Sequence, residues 1–156
     1  MIIFSLICPE AKIMTTAAQI LGGKANRATF STTPSASVFD AVAQMADKNV
    51  GALVVKDGEA VVGLVSERDY ARKVVLMARS SRDTQVREIM SSPVMYVRPT
   101  QTVEECMALM TDKRLRHLPV MEGGKLLGVI SIGDLVKQVI TDQKFMIQQL
   151  EQYISG

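Results

Sequence analysis

Gly63-Leu64-Val65-Ser66-Glu67-Arg68-Asp69 and Gly128-Val129-Ile130-Ser131-Ile132-Gly133-Asp134 decide the reading of this chain: each ends an apolar strand at a serine and sets an aspartate three residues on. They stand 65 residues apart, and the same offset aligns residues 30–75 with 95–140 without a gap. Thirteen of the 46 paired positions are identical, among them Pro34/Pro99, Val38/Val103, Met45/Met110, Leu53/Leu118, Gly63/Gly128, Ser66/Ser131 and Asp69/Asp134. The chain is therefore an internal duplication. A unit of about 46 residues is close to the size at which a single core becomes marginal, so the two copies are expected to complete one shared core.

Within each copy the hydrophobic period changes in a fixed order. An extended segment, 28–32 or 94–97, runs into Pro34 or Pro99, whose fixed ring ends the strand. Val38, Val42 and Met45, and in the second copy Val103, Met107 and Met110, then recur at spacings that place them on one helical face. Two β-rich runs follow, 52–55 with 61–65 and 117–121 with 126–131, joined by Lys56-Asp57-Gly58 and Glu122-Gly123-Gly124 as hairpins. A second helix begins at Ser66 or Ser131, burying Val74 and Leu76 in one copy and Leu135, Val139 and Ile140 in the other.

The fold class is α+β, two tandem β-α-β-β-α repeats. Residues 1–13 are an N-terminal extension expected to be dispensable, with Met14 an alternative start. Residues 14–78 form the first repeat with a leading helix, 79–93 a helical connection containing Val86, Ile89 and Met90, and 94–142 the second repeat. Residues 143–156 continue the last helix and expose Phe145, Ile147, Leu150 and Ile154 unless their own domain or a partner protomer covers them.

With 156 residues, 47% of them apolar and 22% charged, and a net charge of +2, the chain reads as a soluble globular protein without the electrostatic footprint of a general nucleic acid binder. Clusters around Arg68, Arg72 and Lys73 and around Lys113, Arg114 and Arg116 are solvated helix faces or local binding groups. Cys8 and Cys106 make neither a disulfide framework nor a zinc site, and a reducing cytoplasm is the default. The apolar run Met1 to Cys8 is too short to span a bilayer and lacks a basic leader. No Walker loop, nucleophile elbow or carboxylate pair is present, Glu104 and Glu105 lie on a polar helix face, and no enzymatic activity is expected. His117, the only histidine, reads as a phosphate contact or a packed strand residue; catalysis would rest on it almost alone.

Ser-x-x-Asp after a strand has two readings. It is a capping box, in which the serine accepts an amide and the carboxylate sits at the positive helix end. The same geometry can also receive a phosphate at the helix start and a ribose diol on the carboxylate. The tandem arrangement, the strand Arg116-His117-Leu118-Pro119-Val120 with its counterpart Gly51-Ala52-Leu53-Val54-Val55, and the variant Ser66-Glu67-Arg68-Asp69-Tyr70 together resemble a pair of CBS domains, a Bateman module, over about residues 24–142.

The resemblance implies two clefts related by a pseudo-twofold axis that bind AMP, ADP, ATP or another adenine nucleotide, in some members NAD or S-adenosylmethionine, as regulatory ligands. Carried over by position, the first cleft would join Ser131, Gly133, Asp134 and Val129 to Thr33, Val38, Val50, Gly51 and Ala52, with Arg116 nearby. The second would join Leu64, Ser66, Arg68 and Asp69 to Arg98, Val103, Leu115, Arg116 and His117. Arg98 replaces Thr33 and either reaches phosphate or points to solvent. The resemblance further implies a signal-transduction sensor without catalytic cofactor or metal, acting as a homodimer on an effector protein, with neither membrane nor nucleic acid as partner. The competing expectation is an interaction protein whose Ser-x-x-Asp motifs are only helix caps.

Overall fold

The computed structural model describes residues 14–24 and 28–155, so the expectation for residues 1–13 lies outside the described residues. The elements run α1 (Ala17–Gly23), β1 (Ser31–Thr32), α2 (Val38–Lys48), β2 (Ala52–Asp57), β3 (Ala60–Ser66), α3 (Glu67–Tyr70) continuing as a π turn (Ala71–Val75), a 3-10 turn (Val86–Glu88), α4 (Val103–Lys113), β4 (His117–Glu122), β5 (Lys125–Ser131) and α5 (Ile132–Ser155). They divide into two compact units. The first comprises Ala28–Tyr96 with Gly123–Leu126; the second comprises the described residues among Met1–Arg27 with Val97–Glu122 and Leu127–Gly156.

In the first unit β1 runs parallel to β2, with Ser31 opposite Val54, and β2 runs antiparallel to β3, with Val54 opposite Leu64. The hairpin turns through Gly58 at φ 63°, a left-handed position that glycine takes without steric cost. Ser37 caps α2 by accepting the Asp40 amide at 3.1 Å, and Asn49 ends it in the left-handed conformation. Val38, Ala41 and Met45 of α2 close over Leu53, Val55 and Val65 of the sheet. In the second unit Val97 makes a parallel bridge to Val120 where the first has β1, and β4 pairs with β5. Val103, Cys106 and Met110 of α4 close over Leu118, Val120 and Ile130, and Arg114 repeats the left-handed end of Asn49.

The α+β class with two β-α-β-β-α repeats is thus observed. Buried side chains form two clusters, one in each unit. A short leader supplies what each repeat lacks. In the second unit Thr16 pairs with Thr102, the Ala17 amide donates to Gln101 C=O at 2.8 Å, the Ala18 amide to Pro99 C=O at 3.0 Å and the Val103 amide to Thr15 C=O at 3.0 Å. In the first, Ser37 pairs with Gln85, and the Val86, Arg87 and Val38 amides donate to Ala36, Pro34 and Thr84 carbonyls at 2.9, 3.0 and 2.8 Å. Residues 15–21 and 84–90 are therefore a second repeated element, burying Ala17 and Ile20 in one core and Val86 and Ile89 in the other.

Helix α1, assigned to the first repeat by sequence, packs in the second unit, and 79–93 is helical only over Val86–Glu88 and packs in the first. Leu76 is also misplaced by the helical period: its amide reaches back five residues to Ala71 C=O at 3.0 Å, and the wider π turn carries it to the surface, 76% exposed. Ile140, expected inside, is half exposed.

Candidate functional site

Strand β5 delivers Ser131 to the start of α5. There the Ser131 amide donates to Asp134 Oδ2 at 2.8 Å and the Asp134 amide donates to Ser131 Oγ at 3.1 Å, a closed capping box. The Ile132 amide donates to Arg116 C=O at 2.8 Å, which ties the helix start to the entrance of β4. Lys24, just beyond α1, places Nζ 2.9 Å from Asp134 Oδ2 and also donates to Val129 C=O at 2.9 Å. Gly128 lets the leader come this close, because a Cβ there would lie 2.8 Å from Leu21 Cδ2.

Partial burial would raise the Asp134 pKa; the hydrogen bond from Lys24, the Ser131 amide and the Lys24 charge outweigh it, and the carboxyl sits below its usual range. His117 is displaced downward by burial first and by Lys24 and Arg116, against the opposing pull of Asp134, so its imidazole is neutral near pH 7. A carboxylate paired with one lysine, in the field of a neutral imidazole, results. Ser131 and Asp134 already serve each other as cap.

The first unit repeats this geometry with one part exchanged. The Ser66 amide and hydroxyl donate to Asp69 Oδ2 at 2.9 and 3.0 Å, the Asp69 amide donates to Ser66 Oγ at 3.2 Å, and the Glu67 amide donates to Gly51 C=O at 3.0 Å. Lys73, one turn along the same helix, lies 3.3 Å from Asp69 Oδ1 and donates to Ile89 C=O of the leader at 2.9 Å. In each unit one lysine therefore joins the aspartate, the hairpin or helix that carries it, and the leader. In the second unit the leader supplies the lysine; in the first the helix does.

The structure brings Gly51 and Ala52 beside Ser66 within one unit, Ala52 directly opposite Ser66 across the hairpin, and Arg116 beside the Ser131 end in the other. His117, grouped by sequence with Ser66 and Asp69, lies in the electrostatic field of Asp134 and Lys24. Val38 and Val103, expected to line clefts, are 1% exposed in their own cores, so their side chains are packing groups. Val50 and Leu115 donate equivalent amides to Met45 and Met110 C=O at 3.0 and 2.9 Å, and are half buried. Leu64 is buried and exchanges backbone hydrogen bonds with Ser91. Thr33 and Arg98 are exposed, and the Arg98 amide donates to Gln101 Oε1 at 2.8 Å. Arg68 is half buried; Gly133, its counterpart, is exposed, and a Cβ there would meet only Ser131 Oγ at 3.6 Å. Lys24 is the residue missed by sequence. Lys73 carried a signal, its spacing of four from Asp69; Lys24 is 110 positions from Asp134 and carried none.

Among the described residues no group of three or more His, Cys, Asp or Glu could hold a metal ion, and no helix is long and apolar enough to cross a membrane. The CBS domain family model matches residues 13–76 and 86–141. The chain belongs to the CBS-domain family. Its members are regulatory modules that often bind adenine nucleotides, and CBS-only proteins are typically regulatory instead of catalytic. A CBS domain-containing mitochondrial protein of Arabidopsis thaliana is 44% identical over 125 residues, 77% of this chain; the chain spans 61% of that relative's length. A CBS-domain protein of known structure from Burkholderia ambifaria is 58% identical, with a TM-score of 0.79 over 83% of this chain and 96% of that one. A hexameric CBS-CP12 protein from bloom-forming cyanobacteria is 31% identical, with a TM-score of 0.72 over 80% of this chain and 72% of that one.

Proposed function

We propose that this CBS pair is a regulatory sensor of adenine nucleotides, AMP, ADP, ATP or NAD, which passes occupancy to an effector protein or to its own assembly state. The observation that carries the reading is the aspartate with an adjacent lysine, present once in each unit. A carboxylate at a helix start accepts two hydrogen bonds from a ribose diol, and an ammonium or guanidinium beside it neutralises a phosphate. Asp134 with Lys24, and Asp69 with Lys73, supply those groups.

The closed capping boxes favour one rival reading, an interaction protein in which these residues only end helices. Calorimetry of the full chain with AMP, ADP, ATP and NAD separates the two. The sensor reading expects saturable binding and at least tenfold weaker affinity in Asp134→Ala or Asp69→Ala with the fold retained. A ligand at 100 times its dissociation constant stabilises the native state by about 2.7 kcal/mol, an easily read thermal shift. No heat and no shift with any of the four leaves the cap reading.

A further inference from the structure

Helix α5 outruns the unit that carries it. Its last anchor is Asp142, which accepts from Thr15 Oγ1 at 3.3 Å and from Gln138 Nε2 at 2.9 Å, and every residue from Gln143 to Ser155 is exposed. At 1.5 Å per residue these make about 20 Å of helix. Yet Ile147 is 54%, Leu150 43% and Ile154 83% exposed along one face, with Phe145, 57% exposed, on the other. A free helix of this length is marginal in water, so the arm needs cover.

The spacing indicates what covers it. Ile140, Gln143, Ile147, Leu150 and Ile154 alternate by three and four residues, the seam of a coiled coil with isoleucine at one core position and Gln143 and Leu150 at the other. One flank of the seam holds Lys144 and Glu151; the other holds Met146 and Tyr153.

We propose that this arm is a self-association surface on which two copies of the chain pair antiparallel about a twofold axis. In the register that stacks Ile147 on Leu150 and Ile154 on Gln143 of the other copy, Lys144 faces Glu151 and Met146 faces Tyr153, and symmetry makes each pair twice. Parallel pairing instead sets Lys144 against Val139 and Glu151 against Met146, and stacks Gln143 on itself. Charge complementarity thus selects both a second copy as occupant and the direction. An arm of this length buries on the order of 500 Å² per copy, below the ~800 Å² per partner of a standard interface, which places it among small, reversible contacts.

Sedimentation equilibrium of the full chain between about 1 and 200 µM tests this. A concentration-dependent dimer is expected, with Leu150→Asp monomeric throughout and its circular dichroism melting midpoint unchanged. Glu151→Lys alone is expected to weaken the dimer about tenfold, two attractive pairs having become repulsive, and Lys144→Glu/Glu151→Lys to restore it to within about threefold. A wild-type monomer at 200 µM, or an assembly that survives Leu150→Asp, overturns the proposal. Failure of the double exchange to restore affinity overturns the antiparallel register.

Discussion

Removing the Lys24 ammonium tests the most distinctive contact of the second unit. Lys24→Met keeps the aliphatic stem and deletes one ion pair and one hydrogen bond, both at 2.9 Å. Both side chains of the pair are about one-quarter exposed, 25% for Lys24 and 23% for Asp134, so solvent screens it only in part. A charge-assisted hydrogen bond contributes about 1.5–3 kcal/mol when dry and an exposed pair under 1 kcal/mol; at this burial about 1–2 kcal/mol is expected. For a chain of this size that lowers the melting temperature by about 3–6 °C. Lys73→Met is the internal control: at 47% exposure and 3.3 Å from Asp69 its effect should be no more than about 0.5 kcal/mol.

The pH dependence has a definite sign. The Asp134 carboxyl is depressed in the folded state, so its contribution is complete above the unfolded value of about 3.9 and is lost as pH falls through the folded value. The gap between wild type and Lys24→Met should therefore close in acid. His117 supplies a second readout, a single histidine resonance in the NMR titration. Deleting Lys24 removes a charge that opposes protonation and leaves Asp134 in place, so the midpoint should rise. A His117 midpoint that stays fixed, or a stability gap that is constant down to pH 3, refutes the placement of Lys24.

Three further outcomes follow from the packing. Gly63→Ala should cost about 1–3 kcal/mol, because the new Cβ would lie 2.8 Å from the Ser91 carbonyl oxygen, whereas Gly128→Ala meets only the end of Leu21 and should cost under about 1 kcal/mol; urea unfolding ranks them. Cys106 is fully buried, and burial, with Glu105 and Glu104, raises its thiol to about 11, so iodoacetamide at pH 8 should label it only after unfolding. Ile20→Ala should cost about 2–4 kcal/mol and speed amide exchange at Val103 before Val38, since Ile20 packs with Val103 in the second unit; faster exchange at Val38 would return α1 to the first repeat.

Much of this fold was legible because the signals are local. Alternating strands around Gly58 and Gly123, and apolar residues spaced as Val38, Val42 and Met45, are determined within a few residues of themselves, although Ala41 is the fully buried member of that turn and Val42 only partly so. Ser-x-x-Asp was legible for the same reason, since a capping box closes over three residues. The leader was not. Thr15–Leu21 and Thr84–Met90 share only Thr15/Thr84 and Ile20/Ile89 at their offset of 69, which differs from the 65 of the main repeat, and their partners are backbone carbonyls that leave no mark in the sequence. Lys24 was hidden with its leader. Leu76 failed for a different cause, because a π turn breaks the period on which its burial was read.

The exchange of lysines bears on whether the aspartates do more than cap. Each Ser-Asp box closes through the serine hydroxyl and two amides, and helix capping is complete without a cation. Yet both units bring a lysine to that carboxylate, and they do so from different elements: position 73 in the first copy becomes Gln138 in the second, where Lys24 arrives from the leader instead. If the lysine served only its own helix, Gln138 could have remained without replacement. Two routes to one charge arrangement, in copies that differ at most aligned positions, favour a role for the arrangement itself. A carboxylate with an adjacent ammonium, one-quarter exposed or less in its acidic member, is what a ribose phosphate would meet, and it also ties the aspartate to the leader that completes each core. A ligand that takes the aspartate from its lysine must therefore loosen the Lys24 or Lys73 tie, which gives occupancy a physical route to the stability of the leader.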